Sequence, residues 1–198
     1  MQPQKKLLLL SIISSVLVIL NGFFQWNIVD IITPFLMLPL WLVLFGFFIV
    51  VTVLAIVQLF KYKNWQPLAI QIFTILFLFY FPFTETMLDL DFKMHKADRE
   101  EVVNMVESGE IKYNVPDSPS LIRLPKQYDH LSKGGGEVIA VRTGEHFTIL
   151  FFTFRGLLDN FSGFVYSPNG KKAIEKDLEE DFLEIKKYAK NWYWVSSS

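Results

Sequence analysis

The stretch IITPFLMLPLWLVLFGFFIVVTVLAIVQLF, Ile31 to Phe60, carries no formal charge anywhere along its length. At 1.5 Å per helical residue, about 20 residues cross a hydrocarbon core of about 30 Å, so a transmembrane helix fits here with residues to spare. Pro34 and Pro39 mark its first turns, where the first helical amides lack internal partners and a missing N–H costs little. The span is bounded at about residues 35–60, of which Pro39 to Phe60 suffices, with Trp41 near the interface.

Two further apolar runs flank it. Leu7 to Phe24 is uncharged and also long enough to span. Lys5 and Lys6 ahead of it resemble the basic start of a secretory signal. No small-x-small cleavage pattern follows, and Phe23, Phe24 and Trp26 occupy the exit, so this segment reads as an uncleaved anchor. Leu68 to Phe83 is the shortest run. Asn64 is a candidate cap, Pro67 falls in the first turn, and Tyr80, Pro82 and Glu85 close it. Counted from Trp65, it gives a third span at about 65–83.

Charge divides the chain at the end of this run. Of the 39 formally charged residues, only Lys5, Lys6, Asp30, Lys61 and Lys63 precede Glu85. The expected organisation is a transmembrane domain over residues 1–84 and a water-exposed domain over 85–198. Short cytoplasmic loops retain Lys and Arg. Four lysines lie ahead of the first span and in the second loop, and the first loop has only Asp30. The N-terminus is therefore expected in the cytoplasm and the C-terminal domain outside a plasma (inner) membrane.

The C-terminal part reads as a small α+β domain with an antiparallel sheet. Ala97 to Val106 has the period of an amphipathic helix, with Gly109 as its stop. Pro116, Asp117, Ser118 and Pro119 are turn chemistry, and Leu121 to Leu124 is a short extended candidate. Val138 to Arg142, Phe147 to Phe154 and Phe161 to Tyr166 are β-branched and aromatic runs separated by turn-length segments, which predicts a meander. In the middle run both alternating faces are apolar: Phe147, Ile149 and Phe151 on one, Leu150, Phe152 and Phe154 on the other. That predicts a central strand covered on both sides, by helices or by the bilayer. After the turn Ser167-Pro168-Asn169-Gly170, a helix is expected to about Lys190, with Ile174, Leu178, Phe182, Ile185, Ala189 and Trp192 at spacings of three or four. Tyr193 to Val195 is a candidate last strand.

Several function classes lack support in the sequence. A net charge of −1 with no basic run offers no surface for nucleic acid. With no cysteine there is no disulfide, zinc–thiolate or thiol chemistry. The spans carry no ionisable residue of the kind that marks a transport or proton pathway. His95, His130 and His146 have neither i, i+4 pairing nor an HExxH motif, so a metal site would require the fold to bring distant histidines together. Asp89-Leu90-Asp91 reads as an acidic flank. Gly134-Gly135-Gly136 lacks the Lys-Ser or Lys-Thr of a phosphate loop and reads as a flexible lead-in to the sheet. No serine lies in a GxSxG elbow. No cofactor and no catalytic set is expected.

Two groups of residues stand out. Ser11, Ser15 and Gly22 put small residues on one helix face, a surface for close helix packing within the bundle, with a second copy or with a partner's transmembrane helix. Arg155 ends the most apolar strand, so its guanidinium must reach water or find a carboxylate, with Asp159 and Asp129 the candidates. A binding version of this site joins Arg155 to Arg142, Tyr128 and His130. The expectation is a small integral membrane protein whose extracytoplasmic domain binds a protein or envelope ligand without catalysis, in an accessory, sensor or immunity-like role. The rival is a homo-oligomeric pore or a subunit of a transport complex.

Overall fold

The computed structural model describes residues 3–116, 118–156 and 160–197, without the side chains of Pro3, Gln4, Asp30, Thr33 and Pro34. The turn residue Asp117 and the separator residues Leu157, Leu158 and Asp159 therefore lie outside the described residues. The chain divides into two units, Met1–Asp89 and Leu90–Ser198.

In the first unit, α1 runs over Pro3–Tyr62 and α2 over Gln66–Tyr80. α1 holds two stretches long and apolar enough to cross a membrane, Lys5–Val29 and Phe35–Tyr62. No non-helical loop separates them at Asp30, contrary to the sequence expectation. The helix nevertheless doubles back. Gln71 of α2 bonds both Ser14 and Thr52, at 3.0 and 3.1 Å, whereas in a straight helix these two residues would stand about 57 Å apart. The change of direction falls between Ser14 and Thr52.

α2 begins as its sequence suggests, with Pro67 in the first turn and Asn64 Oδ1 accepting the Gln66 amide hydrogen. At 15 residues it covers about 22 Å, short of a hydrocarbon core. It ends at Phe81-Pro82, because proline cannot supply the next helical N–H. α3, Phe83–Glu107, follows at a bend of 63°. Two helices can thus span a membrane unaided, and a third span is counted only if this bent pair crosses as one.

The bundle buries polar side chains among apolar ones and is apolar outside. Ser11, Ser14 and Gln71 are buried, while Ile31, Leu42, Phe60 and Phe79 are mostly exposed. That inversion suits a lipid solvent, which rewards inward polar groups and tolerates outward hydrocarbon.

In the second unit the remaining length of α3 and the helix α4, Lys171–Leu178, flank a six-stranded antiparallel sheet. Its strands are β1 Leu121–Arg123, β2 Glu137–Thr143, β3 His146–Arg155, β4 Phe161–Tyr166, β5 Glu184–Ala189 and β6 Trp192–Ser196, in the order β1-β2-β3-β4-β6-β5. β3 is central and covered on both sides, as its doubly apolar pattern requires. Leu150 and Phe152 join Val165, Ile174, Tyr193 and Val195 beneath α4. On the opposite face Phe92 of α3 packs against Phe164 and Trp192, and Trp192 against Phe151. α3 is longer than the helix read from sequence, and it stops where expected: Gly109 takes φ +76° and donates its amide hydrogen to the Val106 carbonyl.

The predicted helix to Lys190 is overturned. α4 ends at Leu178, with Glu179 in the left-handed region at φ +53°, and Glu184 onward forms a hairpin of β5 and β6. Asn191 supplies the positive φ, +63°, that its two-residue turn needs. The three- and four-residue spacing was misleading because a helix and a strand bury the same cluster: Ile174 and Leu178 reach it from α4, and Phe182 and Ile185 from the chain beyond. The predicted final strand, Tyr193 to Val195, lies within β6.

Candidate functional site

The segment from Pro125 to Gly136 connects β1 to β2 and holds Tyr128, Asp129 and His130. It holds a one-turn 3-10 helix, Asp129–Leu131, and ends in three consecutive glycines with φ of +78°, +104° and +70°. A side chain at either of two of these glycines would meet a neighbour. A Cβ on Gly136 would lie 2.9 Å from the Asp129 Cα, and one on Gly134 would lie 2.8 Å from Cδ of Arg155. The segment also closes onto β3: Lys133 donates its amide hydrogen to the Phe152 carbonyl at 2.8 Å, and the Phe152 N–H donates to Ser132 Oγ at 2.9 Å.

Of the two carboxylates suggested from sequence for Arg155, the described residues test only Asp129. Asp159 lies outside the described residues, and Asp129 packs against Gly136 instead. Among the described residues its partner is Glu137, the first residue of β2. Its Oε2 accepts from Arg155 Nη1 at 3.1 Å, and its Oε1 accepts from Arg123 Nη2 at 2.6 Å. Arg123 and Glu137 are register partners on β1 and β2, the cross-strand geometry that favours opposite charges. Glu137 is almost buried while the two arginine side chains remain 63% and 41% exposed. Hydrogen bonding, first from Arg123 and then from Arg155, holds the Glu137 carboxyl below its ordinary value. One carboxylate thus organises two guanidiniums, each with donors left over from the five it carries, and the guanidinium of Arg155 lies over the Phe152 ring at 5.1 Å.

Beside Arg123 an open cleft of about 680 Å³ is lined by Glu110, Lys112, Tyr113, Asn114 and Leu124. Asn114 closes the outer edge of β1 there. Its side-chain amide donates to the Arg123 carbonyl at 3.0 Å, and its Oδ1 accepts the Arg123 amide hydrogen at 2.7 Å.

The four residues proposed for one site are not brought together. Arg142 lies at the β2–β3 turn, over Phe147, with Nε donating to the Gly144 carbonyl. Phe147 and Arg155 are eight residues apart on the same strand, about 26 Å. Tyr128 and His130 belong to the same connecting segment as Gly134, but they turn towards α3. A hydrogen bond to Glu101 pushes the Tyr128 phenol above its ordinary value. His130 Nε2 faces Asp98 Oδ2 at 3.9 Å, and its ring meets that of His95 edge-to-face at 5.2 Å.

Behind His95 runs a line of α3 residues that sequence reasoning missed. Asp91 Oδ1 stands 3.1 Å from His95 Nδ1, and Asp91 Oδ2 accepts from Arg99 Nη2 at 2.5 Å. Arg99 is fully buried, with its guanidinium over the Phe164 ring at 4.7 Å. Burial lowers its pKa, and Asp91 opposes that effect. The signal was the i, i+4, i+8 spacing of Asp91, His95 and Arg99, which puts them on one helix face.

The membrane residues Ser11, Ser15 and Gly22 face inward. Ser11 and Ser15 are buried, the Ser11 carbonyl accepts from Gln71 Nε2 at 3.2 Å, and a Cβ on Gly22 would touch the Phe83 ring at 3.0 Å. No known protein-family model, curated protein or solved structure matches this chain.

Proposed function

We propose that the chain is a membrane-anchored binding protein whose C-terminal domain takes an acidic group of a protein or envelope ligand at Arg123 and Arg155, without catalysis. The observation that carries this reading is the pair of half-exposed guanidiniums fixed by the single carboxylate of Glu137. Arginine forks match carboxylate and phosphate oxygens geometrically. Here they are pre-organised, so less side-chain entropy is lost on binding. The domain lies outside the cytoplasm in this reading, on the strength of the lysines before the first span and between the second and third. A photo-crosslinker placed at Arg155 in native membranes tests it. The expected result is an adduct that the same probe at Arg142 does not give. Identical adduct patterns from both positions would count against the site.

The rival, an oligomeric pore or a subunit of a transport complex, is favoured by one observation. Ser15 Oγ, Asn21 Oδ1 and Gln58 Nε2 are buried without a hydrogen-bond partner among the described residues, a costly state in hydrocarbon that an aqueous conduit would relieve. Ion leakage from reconstituted liposomes, abolished by Gln58→Leu, would favour it over the binding reading.

A further inference from the structure

We propose that His95 and His130 form a two-histidine capture point for a borderline divalent cation of the zinc class, tying α3 to the segment between β1 and β2. The sequence separates these histidines by 35 positions, and the fold sets their rings 5.2 Å apart at 64°. With metal–nitrogen bonds of about 2.0–2.1 Å at a tetrahedral angle, two imidazole centres stand about 5 Å apart. The observed ring separation matches that value.

The tautomer of His95 follows from its contacts. Nδ1 faces two acceptors, the Asp91 carbonyl and Asp91 Oδ1, both at 3.1 Å. That nitrogen carries the hydrogen, and Nε2 keeps the lone pair a metal requires. Asp91 is fixed in turn by the buried Arg99. His130 Nε2 stands 3.9 Å from Asp98 Oδ2, beyond hydrogen-bond reach, and its Nδ1 is the second ligand atom. A carboxylate behind an imidazole, as Asp91 stands behind His95, is the outer-shell pattern of histidine metal sites, where it orients the ring and raises its basicity.

Two imidazoles select zinc, copper or nickel over calcium and magnesium, which take oxygen ligands. Among the described residues no three His, Asp or Glu side chains are grouped to hold an ion by themselves. Water fills the remaining positions, and both rings are open to it, at 27% and 46% exposure. The site is thus one for reversible capture, and it shares no residue with the Arg123–Glu137–Arg155 group.

The test is calorimetric titration of zinc into the intact protein in detergent, purified without a polyhistidine tag. The chain has three histidines, so His95→Gln, His130→Gln and His146→Gln complete the set. One saturable zinc per chain is expected, lost in the first two variants and kept in the third. Zinc should also raise the thermal midpoint of wild type and leave those of His95→Gln and His130→Gln unmoved. Midpoints measured in chelator show which variants fold, and His130→Gln, on an exposed turn, is the one to rely on if His95→Gln does not. No saturable binding to wild type, or binding that persists in His130→Gln, would overturn the proposal.

Discussion

Replacing Glu137 with Gln keeps the shape of the side chain and removes the charge that holds Arg123 and Arg155. Each guanidinium makes one charge-assisted hydrogen bond to it, at 2.6 and 3.1 Å. Bonds to charged groups contribute about 1.5–3 kcal/mol when sheltered. Exposed ion pairs contribute about 0.2–1 kcal/mol. The carboxylate is nearly buried but the guanidiniums are 63% and 41% exposed, so each bond sits at the upper end of the exposed range, at about 0.5–1 kcal/mol, and the two together at about 1–2 kcal/mol. The pH dependence has a definite sign. The folded-state pKa of Glu137 is depressed, first by Arg123, below its ordinary value of 4.5. Its contribution is fully present above that ordinary value and is lost as pH falls through the folded-state value. Denaturant unfolding of the intact protein in detergent, followed by tryptophan fluorescence, should show Glu137→Gln less stable at pH 7 and the gap closing in acid. Equal stability at pH 7, or a gap undiminished in acid, would refute the reasoning.

Gly163→Ala should destabilise the sheet by about 1–3 kcal/mol in the same unfolding assay, because its Cβ would meet the Leu150 Cδ1 at 2.6 Å and the backbone carbonyl of Phe151. Trp192→Ala removes a buried ring that touches Phe92, Phe151 and Tyr166 and should cost about 3–5 kcal/mol. Gln71→Leu loses the bonds to Ser11, Ser14 and Thr52, at about 0.6 kcal/mol each in a membrane, and should lower the SDS concentration that unfolds the bundle. Because the chain has no cysteine, single cysteines report topology directly. A membrane-impermeant maleimide applied to intact cells should label Glu145→Cys and leave Lys63→Cys unlabelled, and the opposite pattern would reverse the orientation.

The elements legible in the sequence are those whose burial is set by local pattern. The uncharged run from Ile31, the alternating faces of Phe147 to Phe154 and the glycine stop at Gly109 each fix a feature without reference to distant residues. Legibility failed where one pattern serves two structures. Ile174 to Ile185 keeps helical spacing, yet the left-handed Glu179 splits it between α4 and β5. The bilayer runs resisted counting for a related reason. Their composition says that residues meet lipid, whereas the return of α1 is visible only through the bonds of Gln71 to Ser14 and Thr52. The site was least legible, because its pairings depend on register. Glu137 reaches Arg123 across β1–β2 and Arg155 across β2–β3, and His130 meets His95 only after α3 docks. Arg155 was identifiable as an arginine needing a carboxylate; which carboxylate answers it was not.

The most direct test of the binding account compares wild type with the Arg123→Ala, Arg155→Ala double variant. Both are purified from their own membranes in mild detergent, and every retained molecule is identified by mass spectrometry. The account predicts a stoichiometric foreign protein or an acidic envelope molecule on wild type, absent from a double variant that is folded and inserted to the same extent. Retention of the same molecules by both, or recovery of the chain alone as a large homogeneous assembly, would contradict it.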